Sequence, residues 1–218
     1  DDLIKRALAA ATKAGASYCV VRVGRYLRQF VLTRENRVEN TVNTESSGIG
    51  VRVISDHRQG FAWAGSLETA VVDETLDEAR DNAGFGEPDE WNGLPSPSDF
   101  ESVASAELDV WRESLLAVPP DDKVTLALDL ERATRSADRR VRGVEYAGYG
   151  DTAVEAAVAR SLGVAATSRR TMCSCSSFAI AGDADETQTG YGFSAGRAFD
   201  DLDVADAAST SAERAVRL

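Results

Sequence analysis

The chain has 218 residues, of which 43% are hydrophobic and 28% charged, and its net charge is −12. This length can bury the core of one large domain or two small ones. No apolar run approaches the roughly 20 residues that cross a bilayer, no basic-then-apolar signal pattern opens the chain, and the acidic charge argues against nucleic acid as a direct partner. We therefore expect a cytoplasmic protein that binds neither membrane nor nucleic acid directly.

The first part of the chain is predicted to form a helix, four strands and a second helix. Residues 3–15 carry apolar positions at helical spacing and end at Gly15. Strand-like segments follow from Tyr18 to Glu45, interrupted at Glu35-Asn36. Residues 67–83 return to helical spacing behind Ser66, a suitable cap. This pattern predicts a sheet covered on one face by two helices.

A hairpin is predicted between these helices, over residues 47–65. Its turn is expected at Asp56–Gly60, and its apolar face would carry Val51, Val53, Phe61 and Trp63. Gly48, Gly50 and Gly60 are expected at turn or bulge positions, with positive φ at Gly60, because a tight hairpin tolerates few side chains there.

The second part of the chain repeats this outline. Residues 84–100 are rich in Gly, Pro and Ser and predict a loop, with a short helical stretch near 106–117. A helix at 121–137, strands at 140–150, 152–161, 171–182 and 187–197, a turn at Gly163 and a helix from Asp203 follow. We expect an α+β fold of antiparallel sheets covered by helices, a two-layer sandwich with two similar α/β subdomains. The predicted division is 1–84, a loop-rich connection at 85–120, and a second α/β region at 121–218.

The search for catalytic and metal-binding residues finds no catalytic, cofactor or metal set. His57 is the single histidine and falls in the predicted hairpin turn. Cys173 and Cys175 share one strand face and are expected to be buried and reduced, although a Cys-x-Cys pair could be half a metal site. The acidic runs at 183–186 and 200–203 lack the spacing of a calcium loop. Strand aromatics at 146, 149, 178, 191 and 193 favour core and cross-strand packing, with a peptide groove as the alternative.

Two separated motifs resemble one family. The segment GASYCVVRVGRY with SSGIGVRVISDHRQGFAWAGSL, and the later RTMCSCSSFAIAGDADETQTGYGFSAGRAFDDLD, resemble the amino-terminal half of TldD/PmbA proteins, also called modulators of DNA gyrase. The match to the family's G-x-GVRV…GFA pattern consists of Gly48, Gly50-Val51-Arg52-Val53 and Gly60-Phe61-Ala62. Of these, Gly48, Gly50, Arg52, Gly60 and Phe61 are expected to have a structural role. The stretch DETQTGY at 185–191 leans toward the PmbA (TldE) subunit.

The resemblance implies a cytoplasmic two-subunit metalloprotease that degrades unfolded or extended peptides. Its metal-binding HExxxH helix belongs to the carboxy-terminal half of one subunit, so zinc is expected only in a metal-bearing TldD-type partner or in that half. The resemblance therefore implies a non-catalytic portion of the metal-free partner, within a homo- or hetero-oligomer. It also implies that the second α/β region, 121–218, leads to a carboxy-terminal domain. Sheet edges could take up an extended peptide by main-chain pairing. A stand-alone protein-binding module and a regulator of DNA gyrase remain as alternatives.

Overall fold

The computed structural model describes residues 2–13, 18–100, 108–183 and 185–217. In chain order, its elements are α1 (Asp2–Lys13), β1 (Tyr18–Arg34), β2 (Arg37–Ser55), β3 (Arg58–Ala64), α2 (Thr69–Phe85), α3 (Glu113–Leu116), α4 (Pro120–Ser136), β4 (Val141–Arg160), β5 (Ala165–Ala181), β6 (Gln188–Gly196) and α5 (Val204–Ala215). The expected α+β class, a mostly antiparallel sheet packed by helices, is confirmed. None of the described helices is long and apolar enough to span a membrane.

The strands form one six-stranded sheet in the order β3-β2-β1-β4-β5-β6. A helix, two long strands, a short strand and a helix occur twice along the chain, once as α1-β1-β2-β3-α2 and once as α4-β4-β5-β6-α5. From the middle of the sheet, β1, β2 and β3 follow one another toward one edge. In the same way, β4, β5 and β6 follow one another toward the other edge. The expected structural repeat is therefore present.

Two strand predictions are wrong, because each of them splits one long strand into two. The first part of the chain has three strands and not four, because the segment expected to end at Glu45 and the first arm of the hairpin form one strand, β2. The interruption expected at Glu35-Asn36 is a turn, with φ of 53° and 57°. The strands expected at 140–150 and 152–161 are likewise one strand of 20 residues, β4. Neither strand contains a residue at positive φ that would turn the chain.

The hairpin turn is shorter than predicted. It consists of Asp56 and His57, with φ of 50° and 63°, and Gly60 lies inside β3. Positive φ at both central residues is the geometry of a tight two-residue hairpin turn. None of Gly48, Gly50 and Gly60 occupies a turn, and the β2–β3 register runs without a bulge through Gly50 and Gly60. The expectation of turn or bulge positions is therefore wrong for Gly50 and Gly60, and these glycines require another cause.

Other boundaries agree with expectation or shift slightly. Asp203 caps α5, with its Oδ1 accepting the N–H of Asp206 at 2.8 Å. The N-cap of α2 is Glu68 and not Ser66, although the Ser66 hydroxyl accepts the Glu68 N–H at 3.1 Å. The helix expected near 106–117 is limited to Glu113–Leu116 in the described residues, and the predicted stop at Gly15 lies outside them.

By its internal contacts the chain divides into two compact units built from interleaved segments. The first comprises 1–26, 45–109 and 154–169, and the second 27–44, 110–153 and 170–218. The linear division at 84 and 120 stays a prediction about folding units.

The core of the first unit lies between its strands and the helices α1 and α2. It contains buried side chains from every one of these elements: Ala7, Cys19, Val21, Ile49, Val51, Val53, Ala62, Val72, Leu76 and Ala79. Since side chains alternate between the faces of a strand, Val51 and Val53 point to the helices and their neighbours point away.

The core of the second unit lies under α4 and α5. On one face of β5, Cys173 packs with Ala127 of α4 and Tyr149 of β4, and Cys175 packs with Leu130 of α4 and Ala207 and Ala208 of α5. Farther along the same face, Ala179 and Ala181 pack with Ala212 and Ala215 of α5. The loop after α2 also has a structural role, in the first unit, because the backbone N–H of Asp89 and the side chain of Asn92 both donate to the His57 carbonyl, at 2.9 and 3.0 Å.

Candidate functional site

A groove of about 550 Å³ opens on the first unit, on the sheet face away from α1 and α2. The strands β1, β2, β3 and β4 supply its lining, which is Gly24, Arg25, Tyr26, Ser46, Ser47, Gly48, Ile49, Gly50, Trp63, Ala64, Gly65, Val154 and Ala156. Two residues of the family motif, Gly48 and Gly50, are part of this lining.

Strand alternation explains why the motif residues reach this face. Val51 and Val53 are buried against the helices, so Gly48, Gly50 and Arg52 belong to the opposite face of β2. The antiparallel register pairs Gly50 with Trp63 and Arg52 with Phe61. The hairpin therefore presents glycines beside aromatic side chains.

The glycines of the groove differ in whether the packing requires a residue without a side chain. A β-carbon at Gly48 would stand 2.7 Å from the carbonyl oxygen of Ala64, so a side chain there would force the backbone apart. A β-carbon at Gly50 would meet only the Phe61 ring, at 3.5 Å, and one at Gly24 only a carbonyl at 3.7 Å, both ordinary contacts. The packing does not require glycine at 24 or 50, but a side chain at either position would occupy the groove.

The groove wall is formed by exposed aromatic residues. The exposed fraction is 72% for Trp63 and 39% for Tyr26, and the neighbouring Phe61 is 58% exposed. Contiguous exposed apolar side chains on a monomer mark interaction surfaces more often than isolated ones do. This face is therefore the candidate contact surface of the first unit.

The charged groups beside the groove are already paired. Arg25 Nε donates to Glu45 Oε1 at 2.7 Å, and this hydrogen bond raises the pKa of the Arg25 guanidinium. Arg52 donates to Gln59 Oε1 from Nε and Nη2, at 3.1 and 2.8 Å. Because these donors are engaged, the groove presents glycine backbone, aromatic rings and serine hydroxyls.

The motif residues divide between the two faces of the sheet. Gly48, Gly50, Arg52 and Phe61 alternate onto the face away from the helices, the open face, whereas Gly60 is buried on the helix face with Val51, Val53 and Ala62. The expectation that Phe61 and Trp63 join Val51 and Val53 on the apolar face is wrong, because Gly60 and Ala62 occupy that face of β3. Small residues are needed there because α2 lies directly against the strand.

No group of three or more His, Cys, Asp and Glu side chains could hold a metal within 2–13, 18–100, 108–183 and 185–217. The cysteines Cys19, Cys173 and Cys175 are free and buried, and burial raises the thiol pKa of Cys19 to about 11 and of Cys173 to about 12. His57 is an exposed turn residue, as expected.

In the acidic run at 200–203, Asp201 and Asp203 make local hydrogen bonds to backbone N–H groups. Asp203 is the cap of α5, and Asp201 Oδ2 accepts the backbone N–H groups of Arg197 and Ala198, at 2.9 and 2.8 Å. These hydrogen bonds hold the pKa of Asp201 below its usual range.

A buried ionic cluster in the second unit was not predicted. Lys123 Nζ lies 2.6 Å from Asp151 Oδ2, and the Tyr149 hydroxyl donates to the same oxygen at 2.8 Å, while Gln29 Oε1 also accepts from Lys123. The exposed fractions of Lys123 and Asp151 are 3% and 9%. No local pattern reveals this cluster, although Lys123 is one of only three lysines against 21 arginines in the sequence.

The aromatics of the second unit divide between core and surface. Tyr149 is fully buried, Tyr146 stacks on Phe178 of the neighbouring strand with ring centroids 5.9 Å apart, and Tyr191 stacks on Phe193 at the same distance. Core and cross-strand packing are thus both observed.

Comparison with protein families gives two matches. Residues 19–83 match the PmbA/TldA metallopeptidase domain 1, and residues 113–218 match the PmbA/TldA metallopeptidase central domain. Among curated proteins, the metalloprotease PmbA of Escherichia coli O157:H7 is 28% identical over 174 residues, which cover 79% of this chain and 38% of that protein.

Solved structures share the fold across nearly the whole chain. A protein from Bacteroides thetaiotaomicron, named as a candidate modulator of DNA gyrase, gives a TM-score of 0.89 at 20% identity and is matched over 49% of its length. TldE from Thermococcus kodakarensis gives 0.82 at 20% identity, over 46% of its length. Each comparison covers 99% of this chain. The chain thus spans less than half the length of the relatives it matches.

Proposed function

Because this chain belongs to the TldD/PmbA metallopeptidase family, we propose that it forms the amino-terminal, non-catalytic portion of the metal-free, PmbA/TldE-type subunit. In this proposal it acts in the cytoplasm, assembles with a metal-bearing TldD-type subunit, and helps to present unfolded or extended peptides. Zinc belongs to the partner.

The observation that carries the proposal is the glycine-floored groove. Gly50 has room for a side chain and lacks one, and Trp63 stands 72% exposed beside it. Such a surface suits contact with a polypeptide of varied sequence, because backbone and aromatic faces do not select a particular charge. The named family motif and the groove coincide at Gly48 and Gly50.

The chemistry of the described side chains agrees with a contact role. Peptide hydrolysis needs an activated nucleophile or water. The thiols of Cys19 and Cys173 are held protonated by burial, and Cys173 Sγ donates to the Ala198 carbonyl at 3.1 Å. The first unit therefore offers a peptide a contact surface, the groove.

The test mixes the full-length product of the gene that encodes this chain with a metal-bearing TldD-type subunit. Casein cleavage by the mixture, at a rate that neither protein reaches alone, is the expected result. Chelator-resistant cleavage by residues 1–218 alone, or full activity of the partner without this protein, would refute the proposal.

A further inference from the structure

The end strands of the sheet, β3 and β6, carry few of the charged residues and prolines that discourage strand addition, although the chain at Gly86 lies against Gln59 of β3. An end strand exposes unpaired backbone groups, and natural proteins cover them with charges, prolines or bulges. Residues 188–196 of β6, QTGYGFSAG, contain no charged residue and no proline, and β3 contains only Arg58 as a charged residue.

On β3, a side chain of α2 donates a hydrogen bond to one carbonyl group at the edge of the sheet. Asn82 Nδ2 of α2 donates to the carbonyl oxygen of Phe61 at 3.0 Å. Residues in an antiparallel ladder alternate between pairs that exchange hydrogen bonds and pairs that do not. A Phe61 carbonyl that accepts from α2 is turned to the edge and not to Arg52, its partner in β2.

On β6, in the second repeat, a side chain of the last helix makes the corresponding hydrogen bond to an edge carbonyl. Arg214 Nη1 of α5 donates to the carbonyl oxygen of Tyr191 at 2.7 Å. Both carbonyls belong to the residue after a glycine, Gly60 or Gly190, that touches the helix. The arrangement therefore occurs at the same place in both repeats.

The equivalence extends to the helices. A β-carbon at Gly60 would meet the oxygen of Ala79 and the nitrogen of Ala83, and one at Gly190 would meet those of Ser211 and Ala215. Asn82 and Arg214 each precede the residue whose nitrogen is touched. Two dissimilar side chains thus perform one task at matching positions, which a chance surface contact does not explain.

We propose that Asn82 and Arg214 close the two edges of this sheet to a further strand, and that the strand they exclude is an edge strand of a second copy. An uncharged β6 meets no like-charge repulsion when it pairs with itself. To add a strand, the incoming N–H would have to displace the helix side chain from the Phe61 or Tyr191 carbonyl. Both edges are therefore closed to an added strand. Any extended peptide that the proposed function requires would then bind on the open face of the sheet.

The test uses the full-length protein without any peptidase partner, so its outcome is independent of the proposed function. In Asn82→Ala/Arg214→Ala, self-association measured by light scattering across a concentration series should be at least ten-fold tighter than in the wild type. Asp81→Ala/Arg217→Ala, which changes exposed neighbours, should remain like the wild type. Arg214→Lys, which keeps a hydrogen-bond donor at this position, should keep self-association through β6 close to the wild-type level.

A second measurement uses a synthetic peptide of residues 188–196. It should bind to the double variant and not to the wild type. If the double variant does not fold, the single variants carry the test, since each opens one edge. A folded variant that associates and binds the peptide no more than the wild type would overturn the proposal, as would wild-type self-association through β3 or β6.

Discussion

Gly60 of β3 lies against Ala79 of α2 so closely that a β-carbon on Gly60 would stand 2.0 Å from the Ala79 carbonyl oxygen. The same relation joins Gly190 to Ser211, at 2.1 Å. In each repeat the short edge strand comes this close to the last helix at a position where the strand has no side chain. Gly192 makes a further contact of this kind, with its β-carbon position 2.1 Å from the carbonyl oxygen of Ala207 in α5.

Gly60→Ala should therefore lower the free energy of unfolding by about 2–4 kcal/mol, because the methyl group must push α2 from the sheet. Gly190→Ala should behave similarly in the second unit. Urea denaturation measures both. Gly84→Ala is the matched control: it lies in α2 with nothing within 4 Å and should be neutral or stabilising, by up to about 1 kcal/mol. A Gly60→Ala protein as stable as the wild type would contradict the contact.

The sequence predicted what local patterns determine. Alternation placed Val51 and Val53 in the core, the acidic start and Asp203 located α5, and Gly163 was rightly placed at a turn, with φ of 88°. It failed at Gly60, because a turn and a contact with a later helix both select glycine and only the second depends on tertiary structure. It also failed to find the cluster of Lys123, whose partners come from two other elements, and the open face, since an aromatic residue in a strand can belong to either face.

The buried pair Lys123–Asp151 should be costly to break. Lys123→Met should destabilise the protein by about 3–5 kcal/mol, because it leaves the Asp151 carboxylate buried without its cation. Lys123→Met/Asp151→Asn should be more stable than the single variant, since the unpaired charge is then removed. Arg80→Ala, in the exposed pair with Asp77, should change stability by less than about 1 kcal/mol. A double variant less stable than Lys123→Met would contradict this account of the cluster.

The buried Cys173 thiol predicts a loss of stability at alkaline pH. Burial raises its folded-state pKa to about 12, above the unfolded value of about 8.5. The unfolded state therefore loses its proton first, and the stability from the protonated thiol, present below pH 8.5, is lost as pH rises toward 12. The stability advantage of wild type over Cys173→Ala should shrink by about 2–3 kcal/mol between pH 8 and pH 10.5. A constant difference across that range would show that the thiol is not held protonated.

The two motif glycines of β2 should differ in their effect on folding. Gly48→Ala places a methyl group 2.7 Å from the Ala64 carbonyl and should cost on the order of 1–3 kcal/mol. Gly50→Ala meets only the Phe61 ring, so its stability should stay within about 0.5 kcal/mol of the wild type. Thermal melts of both variants give the comparison, and equal losses would remove the argument that Gly50 is reserved for the groove.

The most direct test of the central claim is peptide hydrolysis by the reconstituted two-subunit complex carrying Trp63→Ala, with Trp91→Ala as the matched control. Trp63 borders the groove, whereas Trp91, 86% exposed, lies in the loop after α2. We predict that Trp63→Ala lowers kcat/KM for an extended substrate by about ten-fold, since an interface tryptophan typically contributes more than 1 kcal/mol, and that Trp91→Ala leaves it unchanged. Equal activity of both variants and the wild type, with both variants folded, would contradict the assignment of the groove to substrate contact.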